Sequence, residues 1–217
     1  MKKNYKHIIW DWNGTLFNDV DLCVDVMNGI LLRNKKPGIS VNHYKSIFAF
    51  PVVNYYKILG LDTSEEKFKD LSVDFIGEYE SRKTECMLTE NAASILDEIS
   101  QSGIKQSILS AYTQNTLEEL VGEMKIEHHF ENIVGLDNIY AAGKNGIAKK
   151  LMNKIEEPSE EILLIGDTEH DYEIARELGV DSILAATGHQ TKEKLLKLGV
   201  PVVNELAELK NYISFPR

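Results

Sequence analysis

One rhythm constrains this fold more than any other feature. From about Leu88 onward, short apolar runs alternate with amphipathic stretches. The expected order is helix Asn91–Ser102, strand Ile104–Leu109, a Thr113-capped helix to Met124, and a short strand near Ile133-Val134. Next come helix Lys144–Asn153, strand Ile162–Ile165, helix Tyr172–Leu178, strand Ser182–Ala185, helix Lys192–Leu198 and strand Val202-Val203. Runs of four to six apolar residues bounded by turn formers read as strands, and 3.6-residue periodicity reads as helix. Strands that alternate with helices form right-handed βαβ units and a parallel sheet covered on both faces.

A first strand, His7–Trp10, stands apart from this series. Between it and the rest lies a stretch without a convincing strand. It holds a helix over about Asp19–Asn34, with Leu22, Val26 and Ile30 on one face. A second long helix follows a Thr63–Glu66 capping-box pattern and carries Phe68, Leu71, Phe75 and Tyr79. The expected fold class is therefore α/β: a Rossmann-like parallel sheet core, residues 1–16 and 88–217, with an inserted helical cap, residues 17–87, over the sheet's working edge. The 217 residues suffice for one core plus a small second domain.

Charge narrows the function classes. Twenty-four Lys and Arg against 34 Asp and Glu give a formal charge of −10, which repels a nucleic-acid backbone. No apolar run approaches the roughly 20 residues of a membrane span. Two cysteines, Cys23 and Cys86, show no metal-ligand spacing and read as free thiols. The apolar stretch after Met1-Lys2-Lys3 ends at Asp11, too early for a signal peptide, so a cytoplasmic location is expected. The expected partner is a small phosphorylated substrate, not a nucleic acid or a membrane.

Ligands of an open parallel sheet bind outside the C-terminal ends of its strands. The residues placed there are Asp11, Asn13 and Thr15 after the first strand, Ser110 after the second, and Gly166, Asp167, Thr168 and Asp171 after the fourth. Lys144 opens the helix after the third. Carboxylates, a hydroxyl and one ammonium suit phosphoryl chemistry with a hard divalent cation. Mg²⁺ prefers one or two carboxylates plus substrate oxygens and water. Ser110 and Lys144 can hold phosphoryl oxygens, and Asp11 can attack phosphorus. Each residue also has a structural reading, as a turn, cap or surface group. The ordered combination is what favours chemistry.

The motifs Asp11-Trp12-Asn13-Gly14-Thr15-Leu16, Ser110, Lys144 and Gly166-Asp167-Thr168-Glu169-His170-Asp171 resemble the four signature motifs of the haloacid dehalogenase-like hydrolase superfamily. The helical insertion resembles the subgroup with phosphoglycolate phosphatase and β-phosphoglucomutase. The resemblance implies Asp11 as nucleophile and Mg²⁺ ligand, with the Asn13 backbone carbonyl, Asp167 and Asp171 completing the metal set. It implies Ser110 and Lys144 as phosphoryl contacts, Thr15 on the phosphate side as a loop support, and a phosphoglycolate- or sugar-phosphate-like substrate. Dehalogenation needs no metal, and the acidic fourth motif argues against it.

One departure matters. The family's phosphatases carry a general acid–base aspartate where this chain has Asn13, and an amide cannot exchange a proton at neutral pH. Three outcomes follow from it: slow turnover that favours good leaving groups, a long-lived aspartyl-phosphate suited to phosphotransfer or regulation, or deamidation of Asn13 before Gly14. A catalytically weakened module that binds Mg²⁺ and a phosphorylated ligand is the alternative to an enzyme. His170 reads as an exposed loop residue, Tyr55 and Tyr56 as packing residues, and His128, His129 and His189 receive no role.

Overall fold

The computed structural model describes residues 2–136 and 144–215; Met1, residues 137–143 and residues 216–217 of the expected core lie outside them. Six strands form the main sheet: β1 (His7–Trp10), β4 (Lys105–Thr113), β5 (Asn132–Leu136), β6 (Ile162–Gly166), β7 (Asp181–Ala185) and β8 (Val202–Val203). Their order is β5-β4-β1-β6-β7-β8 and every pairing is parallel. The chain leaves β1 toward β4 and β5, then returns to build outward from β6. The crevice between β1 and β6 is thus the topological switch point, where ligands of such sheets bind.

The strands read as continuous apolar runs because both sheet faces are covered. Successive side chains point to opposite faces. Ile8, Trp10, Leu163 and Ile165 join one buried cluster, while Ile9, Ile162 and Leu164 join a second. Register follows directly, with His7 opposite Lys105 on one side and Ile162 on the other.

Helices α1 (Val20–Arg33), α2 (Val41–Ile47), α3 (Val52–Ile58) and α4 (Glu65–Arg82) fill the segment between the first strand and the rest of the sheet. A two-stranded antiparallel ribbon, β2 (Phe17–Asn18) with β3 (Met87–Leu88), brings the two ends of that segment side by side. Helix α4 does not start at the expected Thr63–Glu66 box. Its N-cap is Ser64, whose side chain makes no cap bond and whose amide instead donates to Asp62 Oδ1 at 2.9 Å. An Asx turn has won over the capping box.

Helices α5 (Ala92–Gln101), α6 (Gln114–Glu123), α7 (Lys144–Met152), α8 (Glu169–Leu178) and α9 (Lys192–Leu196) complete the alternation. Two differences from the expected bounds have local causes. Strand β4 runs past Leu109 to Thr113, with an irregularity in its pairing to β5. Helix α8 begins at Glu169, ahead of Tyr172, because Thr168 and Asp171 form a reciprocal capping box.

Candidate active site

Asp11 leaves β1 and Asp167 leaves the neighbouring β6, so the parallel sheet sets the two carboxylates side by side. Helix α8 adds Asp171 from its first turn, and Lys144 opens α7. Carboxylate oxygens of Asp11, Asp167 and Asp171 all lie within 4.8 Å of one another. The Lys144 Nζ donates to Asp11 Oδ1 and, at 2.6 Å, to Asp171 Oδ1. All four side chains are buried at the floor of a cavity of about 680 Å³.

The charges here do not balance: three carboxylates face one ammonium. Burial, with Asp171 nearby, pushes the Asp11 carboxyl up to about 6, against the opposing pull of Lys144. Burial likewise holds Asp167 well above the usual carboxylate range. Asp171 lies below that range, because the attraction of Lys144 and the Thr168 hydroxyl outweigh its burial. Burial would lower Lys144, but Asp11 and Asp171 raise it, so the ammonium stays charged. An oxygen-only set with surplus negative charge fits a hard divalent cation such as Mg²⁺.

Gly14 and Gly188 allow this crowding. Gly14 has φ +76°, and a Cβ on either glycine would collide with the Asp167 carboxylate. The Thr15 hydroxyl donates toward Asp11 Oδ2 at 3.3 Å and also lies 3.5 Å from Asp167 Oδ1. Thr15 therefore holds the two carboxylates and does not line the cavity. Ser110 is buried, and its Oγ accepts from the Tyr112 amide at 3.1 Å; the following residues Ala111, Tyr112 and Thr113 line the cavity, whereas Ser110 does not.

Asn13 sits on the other side of the turn, in a second polar cluster. Its Nδ2 donates to Asp19 Oδ2 at 2.9 Å and to the Tyr79 hydroxyl at 3.0 Å. Tyr79 from α4 donates to Asp19 Oδ2 at 2.7 Å, and the Gly14 amide donates to Asp19 Oδ1 at 3.0 Å. His189, just past β7, places Nε2 3.2 Å from Asp19 Oδ1 and Nδ1 2.8 Å from the Tyr44 hydroxyl. Its backbone amide donates to Asp167. Burial would lower the His189 pKa, but Asp19 raises it to about 9. Asp19 itself lies below the usual range: burial opposes this, and His189, Tyr79 and Asn13 overcome it.

Sequence reasoning left Asp19 and His189 without roles. The sequence marks Asp19 only as the approximate start of a helix, and His189 meets it only through the fold. Against expectation, His170 is half-buried on α8, 5.0 Å from the Phe50 ring. Deamidation of Asn13 is opposed, because the Gly14 nitrogen that would attack is engaged with Asp19 and with Phe17 O.

The comparisons with known proteins bear on the family and the fold. The family model for haloacid dehalogenase-like hydrolases matches residues 8–185. A curated relative, tyrosine-protein kinase PtkA of Mycobacterium tuberculosis, is 21% identical over 93% of this chain and 69% of its own length. The solved structure of that kinase superposes with a TM-score of 0.78 at 20% identity, covering 96% of this chain and 98% of the other. The haloacid dehalogenase-like hydrolase SP0104 from Streptococcus pneumoniae gives 0.80 at 19% identity, covering 94% and 96%. A predicted phosphatase from Clostridium acetobutylicum gives 0.80 at 18% identity, covering 95% and 97%. With its signature residues gathered at the switch point of a parallel sheet and the family model spanning most of its length, the chain belongs to the haloacid dehalogenase-like hydrolase family.

Proposed function

We propose that the protein is a Mg²⁺-dependent phosphatase that hydrolyses phosphate monoesters through an aspartyl-phosphate on Asp11. One observation carries this reading: Asp11 stands among Asp167, Asp171 and Lys144 at the floor of a cavity, with negative charge in excess. In this reading Asp11, Asp167, Asp171 and the Asn13 backbone carbonyl hold Mg²⁺. The ion supplies charge neutralisation at the phosphoryl oxygens.

The chain's own groups do the rest. Lys144 keeps Asp11 ionised and its oxygen oriented, then shares the charge of the transferring phosphoryl group. Ser110 does not line the cavity, but it accepts from Tyr112 and keeps its hydroxyl hydrogen free, and in this reading it turns that hydrogen toward phosphate. Thr15 steadies Asp11 and Asp167. The segment 17–87 acts as the cap that excludes water from the cavity.

Asn13 offers no proton, so the leaving group must depart without one. This also lends support to a second reading, phosphotransfer from a persistent phospho-Asp11, and the relative named a tyrosine kinase fits it equally. The test is Mg²⁺-dependent phosphate release from acetyl phosphate, a small substrate that needs no acid catalyst. Wild type releases phosphate and Asp11→Asn reduces the rate by about 10⁴-fold or more. Undiminished release by Asp11→Asn contradicts the reading. Acetyl phosphate consumed with one phosphoryl group retained per chain favours phosphotransfer.

A further inference from the structure

We propose that the substrate is an aryl phosphate monoester, a phosphorylated phenol with an uncharged body, in place of the phosphoglycolate- or sugar-phosphate-like class. This rests on the phosphatase reading and adds the identity of the leaving group. Two independent observations converge on it.

The first is the wall facing the carboxylates. Phe48, Tyr55, Tyr56, Phe68 and Phe75 from the segment 17–87 line it. Four of these rings are linked, with centroids 5.6 Å apart for Phe48–Tyr55 and for Tyr55–Tyr56, and 5.4 Å for Tyr56–Phe68, while Phe75 stacks on Tyr79 at 6.1 Å. The tyrosines that bear on the polar floor have spent their hydroxyls: Tyr44 on His189, Tyr79 on Asp19 and Tyr112 on Glu80. Among the described residues that line the cavity, Lys144 is the lone Lys or Arg, and it is held by Asp11 and Asp171. A second anionic group, such as a carboxylate, would find the His189 imidazolium already paired with Asp19 and would face Glu80. On this wall the buried Tyr55 hydroxyl has no hydrogen-bond partner, but the ring faces around it offer the several hydroxyls of a sugar none. An aromatic ring meets ring faces and edges instead, which is the favourable packing for π systems.

The second observation is Asn13, clamped by Asp19 and Tyr79 with both amide hydrogens committed. No proton is on offer where the ester oxygen leaves. In the first half-reaction an Asp11 carboxylate oxygen bonds to phosphorus and the phosphorus–oxygen bond to the aryl group breaks. The electron pair leaves on a phenolate, which takes its proton from solvent after release. In the second, water attacks phosphorus, the carboxylate of Asp11 departs, and both water protons leave on dihydrogen phosphate. A phenol has a pKa of about 10, as the tyrosine side chain does, so its anion leaves unaided far better than an alkoxide.

The experiment measures kcat/KM with Mg²⁺ for phenyl phosphate, benzyl phosphate, glucose 6-phosphate, 2-phosphoglycolate and acetyl phosphate. Benzyl phosphate has the ring but an alkyl leaving group, so it separates the two arguments. The proposal expects phenyl phosphate to exceed glucose 6-phosphate and 2-phosphoglycolate by at least about 100-fold, with benzyl phosphate between them. Phe75→Ala should lower the ratio of phenyl phosphate to acetyl phosphate turnover by about tenfold. If acetyl phosphate is hydrolysed but glucose 6-phosphate or 2-phosphoglycolate matches phenyl phosphate, the aryl assignment is overturned and the phosphatase reading stands. If no compound releases phosphate, both fall.

Discussion

Two buried polar clusters flank the Trp12-Asn13-Gly14 turn, and they differ in charge balance. In the first, Asp11, Asp167 and Asp171 share the single ammonium of Lys144. In the second, Asp19 alone accepts from the Gly14 amide, Asn13 and Tyr79, and pairs with His189. The first leaves Asp11 raised to about 6, while the second lowers Asp19 and raises His189 to about 9. Buried charges are costly unless paired. A cluster left unbalanced at a cavity floor is therefore built for a partner that arrives later. A balanced one is a finished strut, here tying the segment 17–87 to the sheet through Tyr44 and Tyr79.

The comparison breaks most severely at Lys144. Lys144→Met removes the one cation from the unbalanced cluster, and kcat for acetyl phosphate should fall by about 10³-fold. The Asp11 carboxyl should titrate higher than in wild type, measurable by the pH dependence of the residual rate. A variant with wild-type kcat would mean that the ammonium has no part in the chemistry.

The next effect crosses between the clusters. Asn13→Asp alone sets a second carboxylate against Asp19, where the amide now donates at 2.9 Å. The double variant Asn13→Asp/Asp19→Asn exchanges the two groups and keeps one negative charge. Benzyl phosphate turnover should rise by up to about 100-fold in the double variant and by clearly less in the single one. Equal gains would show that Asp19 does not hold position 13 as an amide.

The smallest effect is on stability. His189→Gln in metal-free buffer should lower the unfolding free energy by about 2–3 kcal/mol near neutral pH, read by urea denaturation. The folded-state pKa of His189, about 9, lies above its ordinary 6.5. Its contribution is therefore fully present below pH 6.5 and lost as pH rises through about 9. The gap between wild type and variant should close over that window. A gap that stays constant to pH 10 would mean that shape, not charge, is what His189 supplies.

How far these features can be read from the sequence follows from how local each one is. Strands His7–Trp10 and Val202–Val203 match their apolar runs residue for residue. Asp11, Asp167, Asp171 and Lys144 are legible because strand ends and one helix turn place them through short-range rules. The Thr168–Asp171 capping box is local in the same way. The Asp19–His189 pair is not, since the two meet only once β7 and α1 are docked. Likewise β2 and β3, two residues each, carry no periodicity and exist only as partners of one another. Tyr55 and Tyr56 are legible as packing residues and Phe68 and Phe75 as a helix face, but Phe48 is not, and the orientation of these rings toward the carboxylates depends on how the segment 17–87 folds back over the sheet.

The central claim is that Asp11 carries the phosphoryl group. The most direct measurement is rapid quenching of the protein during turnover of acetyl phosphate with Mg²⁺, followed by borohydride reduction and peptide mass analysis. Borohydride converts an aspartyl phosphate to homoserine. Homoserine is expected at position 11, absent without Mg²⁺ and absent from Asp11→Asn. Phosphate release with Asp11 unmodified, or with the label on another residue, would contradict it.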